Sequence, residues 1–173
     1  MSEPMNHFTS DQPTPATLGS LQLEIEIEAS PARVWKALTQ DLAAWWPAEF
    51  YTGGEEGQRT IVLDAVPGGL MKETRDDGAG LVWGTVMAVE PKRQLQVLGA
   101  TFPNWGGPTL SFITWRIEEN GSGVRLIFEE SNVGSVGAGQ LAEKNKGWGF
   151  LLQAVSAHLT GAPAPTWADG EGG

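Results

Sequence analysis

Hydrophobic and polar residues alternate along most of this chain, and where the alternation stops a helical spacing takes over. Between Leu21 and Glu28 the apolar Leu21, Leu23, Ile25 and Ile27 alternate with Gln22, Glu24, Glu26 and Glu28, the pattern of a strand with one dry face and one wet face. Ser30-Pro31 follows, a hydroxyl cap and then a proline at the first helical position. A short helix is therefore predicted over Pro31–Thr39, burying Val34, Trp35 and Leu38. A second helical turn over Asp41–Trp46 stops at Pro47 and sets Trp45 beside Trp46. Adjacent helical residues point about 100° apart, so this pair is expected to split, one ring inward and one toward a cavity mouth or solvent.

A glycine-rich loop over Thr52–Gly57 leads into six more predicted strands: Arg59–Ala65, Leu70–Arg75, Leu81–Glu90, Arg93–Phe102, Thr109–Glu118 and Val124–Ser131. Pro67-Gly68-Gly69, Asp76–Gly80, Pro91 and Glu119–Gly123 supply the turns between them. Short turns throughout favour an antiparallel meander. In the last hairpin Ile113, Trp115 and Ile117 form one inward row, and Val124, Leu126, Phe128 and Glu130 another. Between Leu81 and Glu90 two rows compete: Leu81, Trp83, Met87 and Val89 against Val82, Val86 and Ala88. A bulge near Gly84 would make each partly right.

The last segment, Gln140–Leu159, has helical spacing: Leu141, Trp148, Leu152, Val155 and Leu159 fall near one line, with Glu143, Lys144, Lys146 and Gln153 elsewhere. Sheet and helix together predict an α+β domain, a curved seven-stranded antiparallel sheet around a long C-terminal helix, with two short helices after the first strand. Residues 1–20, rich in Pro, Ser and Thr, are read as a disordered tail, 21–161 as one domain, and 162–173 as a flexible tail in which Trp167 stands out.

Composition narrows the partners. The 173 residues carry a net charge of −10, a surface that repels phosphate backbones and anionic lipid heads, so neither nucleic acid nor membrane is an expected partner. No apolar run approaches the roughly 20 residues of a membrane span, and the first residues lack the basic start and apolar core of a signal peptide. The chain contains no cysteine, which excludes disulfides and thiolate chemistry and makes the cytoplasm the expected compartment. No metal motif, phosphate loop or nucleophile elbow is present, and no cofactor is expected.

Aromatic residues are the clearest chemical signal. Trp83, Phe102, Trp115, Phe128 and Trp148, with Leu152 on the helix, are the candidate lining of a cavity for a small apolar or aromatic molecule. The same rings would also serve as plain core. Glu73 and Glu130 lie in strands, Glu130 with the parity of Phe128. A carboxylate desolvated there could move a proton or fix a ligand's polar end, while the blander alternatives are a surface ion pair for Glu73 and a wet strand end for Glu130. Leu110 and Phe112, opposite Trp115 in parity, would suit a protein partner or homodimer contact.

Four stretches carry a family resemblance: IEASPARVWKAL (Ile27–Leu38), WGTVMAVEPKRQL (Trp83–Leu95), ITWRIEENGSGVRL (Ile113–Leu126) and GWGFLLQAVSAHL (Gly147–Leu159). In order and spacing they resemble the START-related helix-grip superfamily of pollen allergens, polyketide cyclases and lipid-transfer domains, in particular the branch related to the activator of the heat-shock chaperone ATPase. That resemblance implies a seven-stranded sheet gripping the C-terminal helix around an internal cavity. It implies no single activity: a ligand-binding protein, a cyclase or dehydratase using a cavity carboxylate, and a chaperone-associated domain all remain open. Where many relatives end the last strand in a histidine, this chain has Glu130.

Overall fold

The computed structural model describes residues 15–52 and 59–167 of the chain. In order these form β1 (Thr17–Ile27), α1 (Pro31–Thr39), α2 (Leu42–Trp45), β2 (Arg59–Leu63), β3 (Leu70–Arg75), β4 (Gly80–Glu90), β5 (Gln94–Thr101), β6 (Thr109–Asn120), β7 (Gly123–Gly134) and α3 (Ala138–Thr160). Short 3₁₀ turns occupy Ala48–Phe50 and Pro103–Trp105. The strands make one antiparallel sheet in the order β1-β7-β6-β5-β4-β3-β2. The six later strands are the expected meander, and β1 closes on β7, so α1 and α2 carry the chain from one edge of the sheet to the other. The sheet curves around α3, and the core fills the space between them: Ile27, Trp115, Ile117, Val124, Leu126 and Phe128 from the sheet meet Leu151, Leu152, Val155 and Leu159 from the helix.

Local chemistry sets the element ends. Ser30 Oγ accepts from the Arg33 amide at 3.4 Å and Pro31 opens α1. The β6–β7 hairpin closes between Asn120 and Gly123, tighter than the five-residue loop expected. Gly121 there has φ +61°, suited to the first position of a primed two-residue turn.

The boundary expected at Leu21 is corrected: β1 begins at Thr17 and pairs with β7 through Gly134. Apolar alternation does not reveal these residues because other forces hold them. The Thr17 hydroxyl bonds Val136 O at 2.6 Å, Ser20 meets Ser131 hydroxyl to hydroxyl at 3.0 Å, and Gly19 makes room for Leu141 of α3. Residues 1–14 and 168–173 of the expected tails, and the glycine-rich loop from 53 to 58, lie outside the described residues.

Trp45 and Trp46 do not split as expected; both are buried, at 7% and 6% exposure. The helical step does not apply, because Trp46 has already left α2 with an extended backbone of φ −64° and ψ 122°. Trp45 donates its indole N–H to Ala37 O at 2.8 Å, while Trp46 packs edge-on against Trp83.

In β4 the two competing rows are joined by a register shift. Met71 faces Gly84 but Lys72 faces Val82, leaving Trp83 as the extra residue; a second shift leaves Met87 unpaired between Val86 and Ala88. Trp83, Val86 and Val89 consequently reach the core, whereas Val82 and Met87 are exposed. Trp167 does not hang free: its ring meets Phe50 and Phe150 edge-on at 5.2 and 5.0 Å, under Lys146 Nζ at 4.9 Å.

Candidate functional site

The inner face of the sheet changes character along β6 and β7. At one end Trp115, Ile117, Leu126 and Phe128 are buried apolar side chains; at the other Thr109, Ser111, Glu130 and Asn132 are buried polar ones. Strand parity puts all of them on one face. The Trp115 ring contacts Phe128 at 4.7 Å and Trp148 at 5.8 Å, and Trp148 lies over Phe128 at 4.2 Å. This aromatic cluster is the border between the two zones.

On the polar side Glu130, 1% exposed, accepts from Lys144 Nζ at 2.7 Å and from the Trp148 indole N–H at 2.9 Å. Lys144 Nζ also reaches Ser111 Oγ at 3.4 Å, and that hydroxyl donates to Asn132 Oδ1 at 2.7 Å. A carboxylate this deep requires such partners, since an unpaired buried charge costs several kcal/mol. The expectation of a wet strand end at Glu130 is thereby corrected. Lys144, placed off the helical stripe by the sequence reading, lies one turn before Trp148 and shares its face.

Above this floor is a cavity of about 220 Å³ walled by Leu81, Trp83, Ile113 and Trp148, with Ser111, Glu130 and Lys144 at its polar end. It adjoins a more open cleft of about 340 Å³ beneath the Pro103–Trp105 turn; Thr101, Trp105 and Lys144 belong to both. The Gln140 side chain ties that turn to the start of α3 by donating to Gly106 O at 2.7 Å.

Of the residues singled out from sequence, the structure brings Trp83, Trp148 and Glu130 to the cavity wall. Trp115, Phe128 and Leu152 stand behind it in the core. Phe102 is elsewhere: it is 62% exposed and packs on Trp105 outside the cavity. Glu73 is fully buried and is no surface ion pair; both its oxygens accept from the Thr52 amide, at 3.0 and 3.1 Å, and the Thr52 hydroxyl adds a bond of 2.9 Å. Thr52 lines the cavity and Glu73 does not, so this carboxylate anchors the wall from behind. Nearby, burial and then the negative charge of Glu73 raise the pKa of the Tyr51 phenol. Leu110 and Phe112 are exposed on the outer face, and Leu110 joins Val133 of β7 and Leu18 of β1 in one cross-strand row.

Lys144, Ser111 and Asn132 are the site residues that the sequence reading missed. The signal was present: Asn132 continues the Phe128–Glu130 parity, and Ser111 continues that of Ile113 and Trp115. Ending the last strand at Ser131 hid Asn132. Among the described residues, no group of three or more His, Asp or Glu side chains is placed to hold a metal ion, and no helix is long and apolar enough to cross a membrane.

Known structures are similar to this one in fold. A protein of Rhizobium leguminosarum matches with TM-score 0.65 at 20% identity, covering 84% of this chain and 97% of its own. The Aha1 dimer from Colwellia psychrerythraea gives 0.60 at 23% identity over 82% and 96%. DynU16, a protein in the dynemicin biosynthetic locus, gives 0.60 at 18% over 85% of this chain and 49% of its own. No curated protein matches significantly. The model of the family described as "Activator of Hsp90 ATPase homolog 1-like protein" matches residues 28–160. With its seven-stranded sheet curved around α3, the chain belongs to that family of the helix-grip superfamily.

Proposed function

We propose that the protein binds a small apolar or aromatic molecule in the cavity between sheet and α3. Family membership does not decide this, because one fold hosts many activities. The observation that carries the reading is the cavity's polarity: aromatic and aliphatic walls from β4, β6 and α3 converge on one small polar cluster. That is the composition of a ligand site, apolar area for affinity and a few fixed polar groups for orientation. At about 220 Å³ the cavity is smaller than the roughly 300–1,000 Å³ of drug-sized clefts, so the ligand is compact or extends toward the Trp105 cleft.

The two strand carboxylates favour binding over proton transfer. Glu73 is sealed behind Thr52, and each Glu130 oxygen already holds a donor. The test is a titration with phenylnaphthylamine, a neutral dye that brightens in apolar surroundings. Saturable enhancement is expected from the natural protein. Ile113→Trp, which adds an indole to the cavity wall, should abolish it while the circular dichroism stays native. Equal enhancement in both proteins would place the dye elsewhere and defeat the reading.

A further inference from the structure

We infer that the molecule bound in this cavity is uncharged and carries a hydrogen-bond-accepting oxygen, as an aromatic ketone does, and that Lys144 is the residue that selects it. The inference rests on the cavity being the binding site, as proposed above.

The polar end of the lining offers a charged donor, the Lys144 ammonium. Each Glu130 oxygen accepts one bond, from Lys144 Nζ at 2.7 Å and from Trp148 Nε1 at 2.9 Å. The Ser111 hydroxyl gives its proton to Asn132 Oδ1 and the Thr52 hydroxyl gives its own to Glu73. The donor left with capacity toward the cavity is Lys144. An ammonium has three N–H groups; that of Lys144 has one strong partner in Glu130 and a longer contact of 3.4 Å to Ser111. The Trp83 indole N–H is buried and has no hydrogen-bond partner among the described residues, so it stands behind the wall and not toward a ligand. Behind the floor, Asn132 is 0% exposed and its Nδ2 is likewise without a partner among them. A ligand bringing only further donors would leave the spare Lys144 N–H unmet, at its desolvation cost. An acceptor oxygen beside Lys144 completes its set.

Charge decides the kind of acceptor. Glu130 already neutralises Lys144, so a ligand carboxylate would make two negative groups share one ammonium, beside a carboxylate that is itself buried. The net charge of −10 on the chain adds to that repulsion. A carbonyl oxygen takes the same N–H without a second negative charge. Trp83 and Trp148 in the wall suit an aromatic body beside it.

Three probes with one ring system separate these terms: acetonaphthone, ethylnaphthalene and naphthoate, each used to displace phenylnaphthylamine from the full chain. Acetonaphthone is expected to displace the dye about tenfold more effectively than ethylnaphthalene, from one hydrogen bond to a charged donor, and naphthoate is expected to be weakest. Lys144→Met combined with Glu130→Gln removes the ammonium without stranding a buried carboxylate. That protein should still bind the dye but treat acetonaphthone and ethylnaphthalene alike. Ethylnaphthalene or naphthoate matching the ketone in the natural protein, or a ketone preference that survives the double substitution, overturns the ligand class and the role of Lys144 while leaving the cavity reading intact. If the double variant does not fold, the ranking in the natural protein decides alone. No dye binding, and no binding of any probe, removes the cavity reading and this inference with it.

Discussion

The two buried carboxylates show how a single side chain's surroundings set its task. Glu73 faces the Thr52 amide and hydroxyl, Glu130 faces a cation and an indole, and both serve to fix other groups in place. Glu73 also reaches Tyr51, the only tyrosine in the chain. Burial, and then that carboxylate's charge, lift the phenol above its usual value of 10.0, and a hydrogen bond with the Ile61 backbone opposes them in part. The folded protein therefore holds the phenolic proton more tightly than the unfolded chain does. The resulting stability is complete below about pH 10, the unfolded pKa, and is lost as pH rises through the higher folded pKa. Tyr51→Phe should remove this alkaline dependence. Denaturant midpoints followed upward from neutrality should fall more steeply for the natural protein than for the variant, and parallel curves would refute the assignment. Tyrosinate absorbance gives an independent check, since one residue supplies all of it.

At the scale of elements, β4 is where sequence and structure diverge most usefully. Its double bulge turns Trp83 and Val86 to the same side although their spacing is odd, and it depends on Gly84. A Cβ at that position would lie 2.5 Å from Val97 Cγ1 and 2.9 Å from Leu98 O. The valine can rotate; the backbone carbonyl of a central strand cannot easily withdraw. Gly84→Ala is therefore expected to cost about 1–3 kcal/mol by equilibrium denaturation and to disturb Trp83, visible as a shift in tryptophan emission. A stability within a few tenths of a kcal/mol of the natural protein would show that the strand can relax. The same element explains how far the sequence could be read. Periodicity is a local signal, so it located seven strands, the helices and their order. It could suggest a bulge near Gly84, but the exact register is fixed by β3 and β5 and appears only once they pair. The site was half legible for the same reason: strand parity turned Glu130 inward, but its partner Lys144 comes from a helix that meets it only in the fold. Polar residues that continue an apolar row, such as Ser111 and Asn132, look like strand ends until something buried is found to bond them.

The whole molecule links its C-terminal segment to the cavity wall. Trp167 packs on Phe50 and Phe150, whose own rings stack at 5.7 Å and 6°. Phe50 rests on Gly147 of α3, with its Cε1 3.4 Å from the position a Cβ would take there, in the turn of helix just before Trp148. Two residues after Phe50 comes Thr52, held by Glu73 and lining the cavity. The aromatic stack thus clamps the segment that forms one side of the proposed site. Removing the outermost ring should loosen the clamp without touching a wall residue. Trp167→Ala is expected to lose about 1–2 kcal/mol from ring contacts of this kind, or roughly 3–6 °C in Tm for a domain of this size. Part of that loss should be local: the Thr52 amide, protected by Glu73, should exchange with solvent hydrogen faster than the amides of β6 and β7. Faster exchange at Thr52 together with weaker dye binding would show that the C-terminal segment supports the cavity through Phe50. A uniform rise in exchange across the sheet would instead mean that Trp167 contributes only to global stability and that the clamp has no local role.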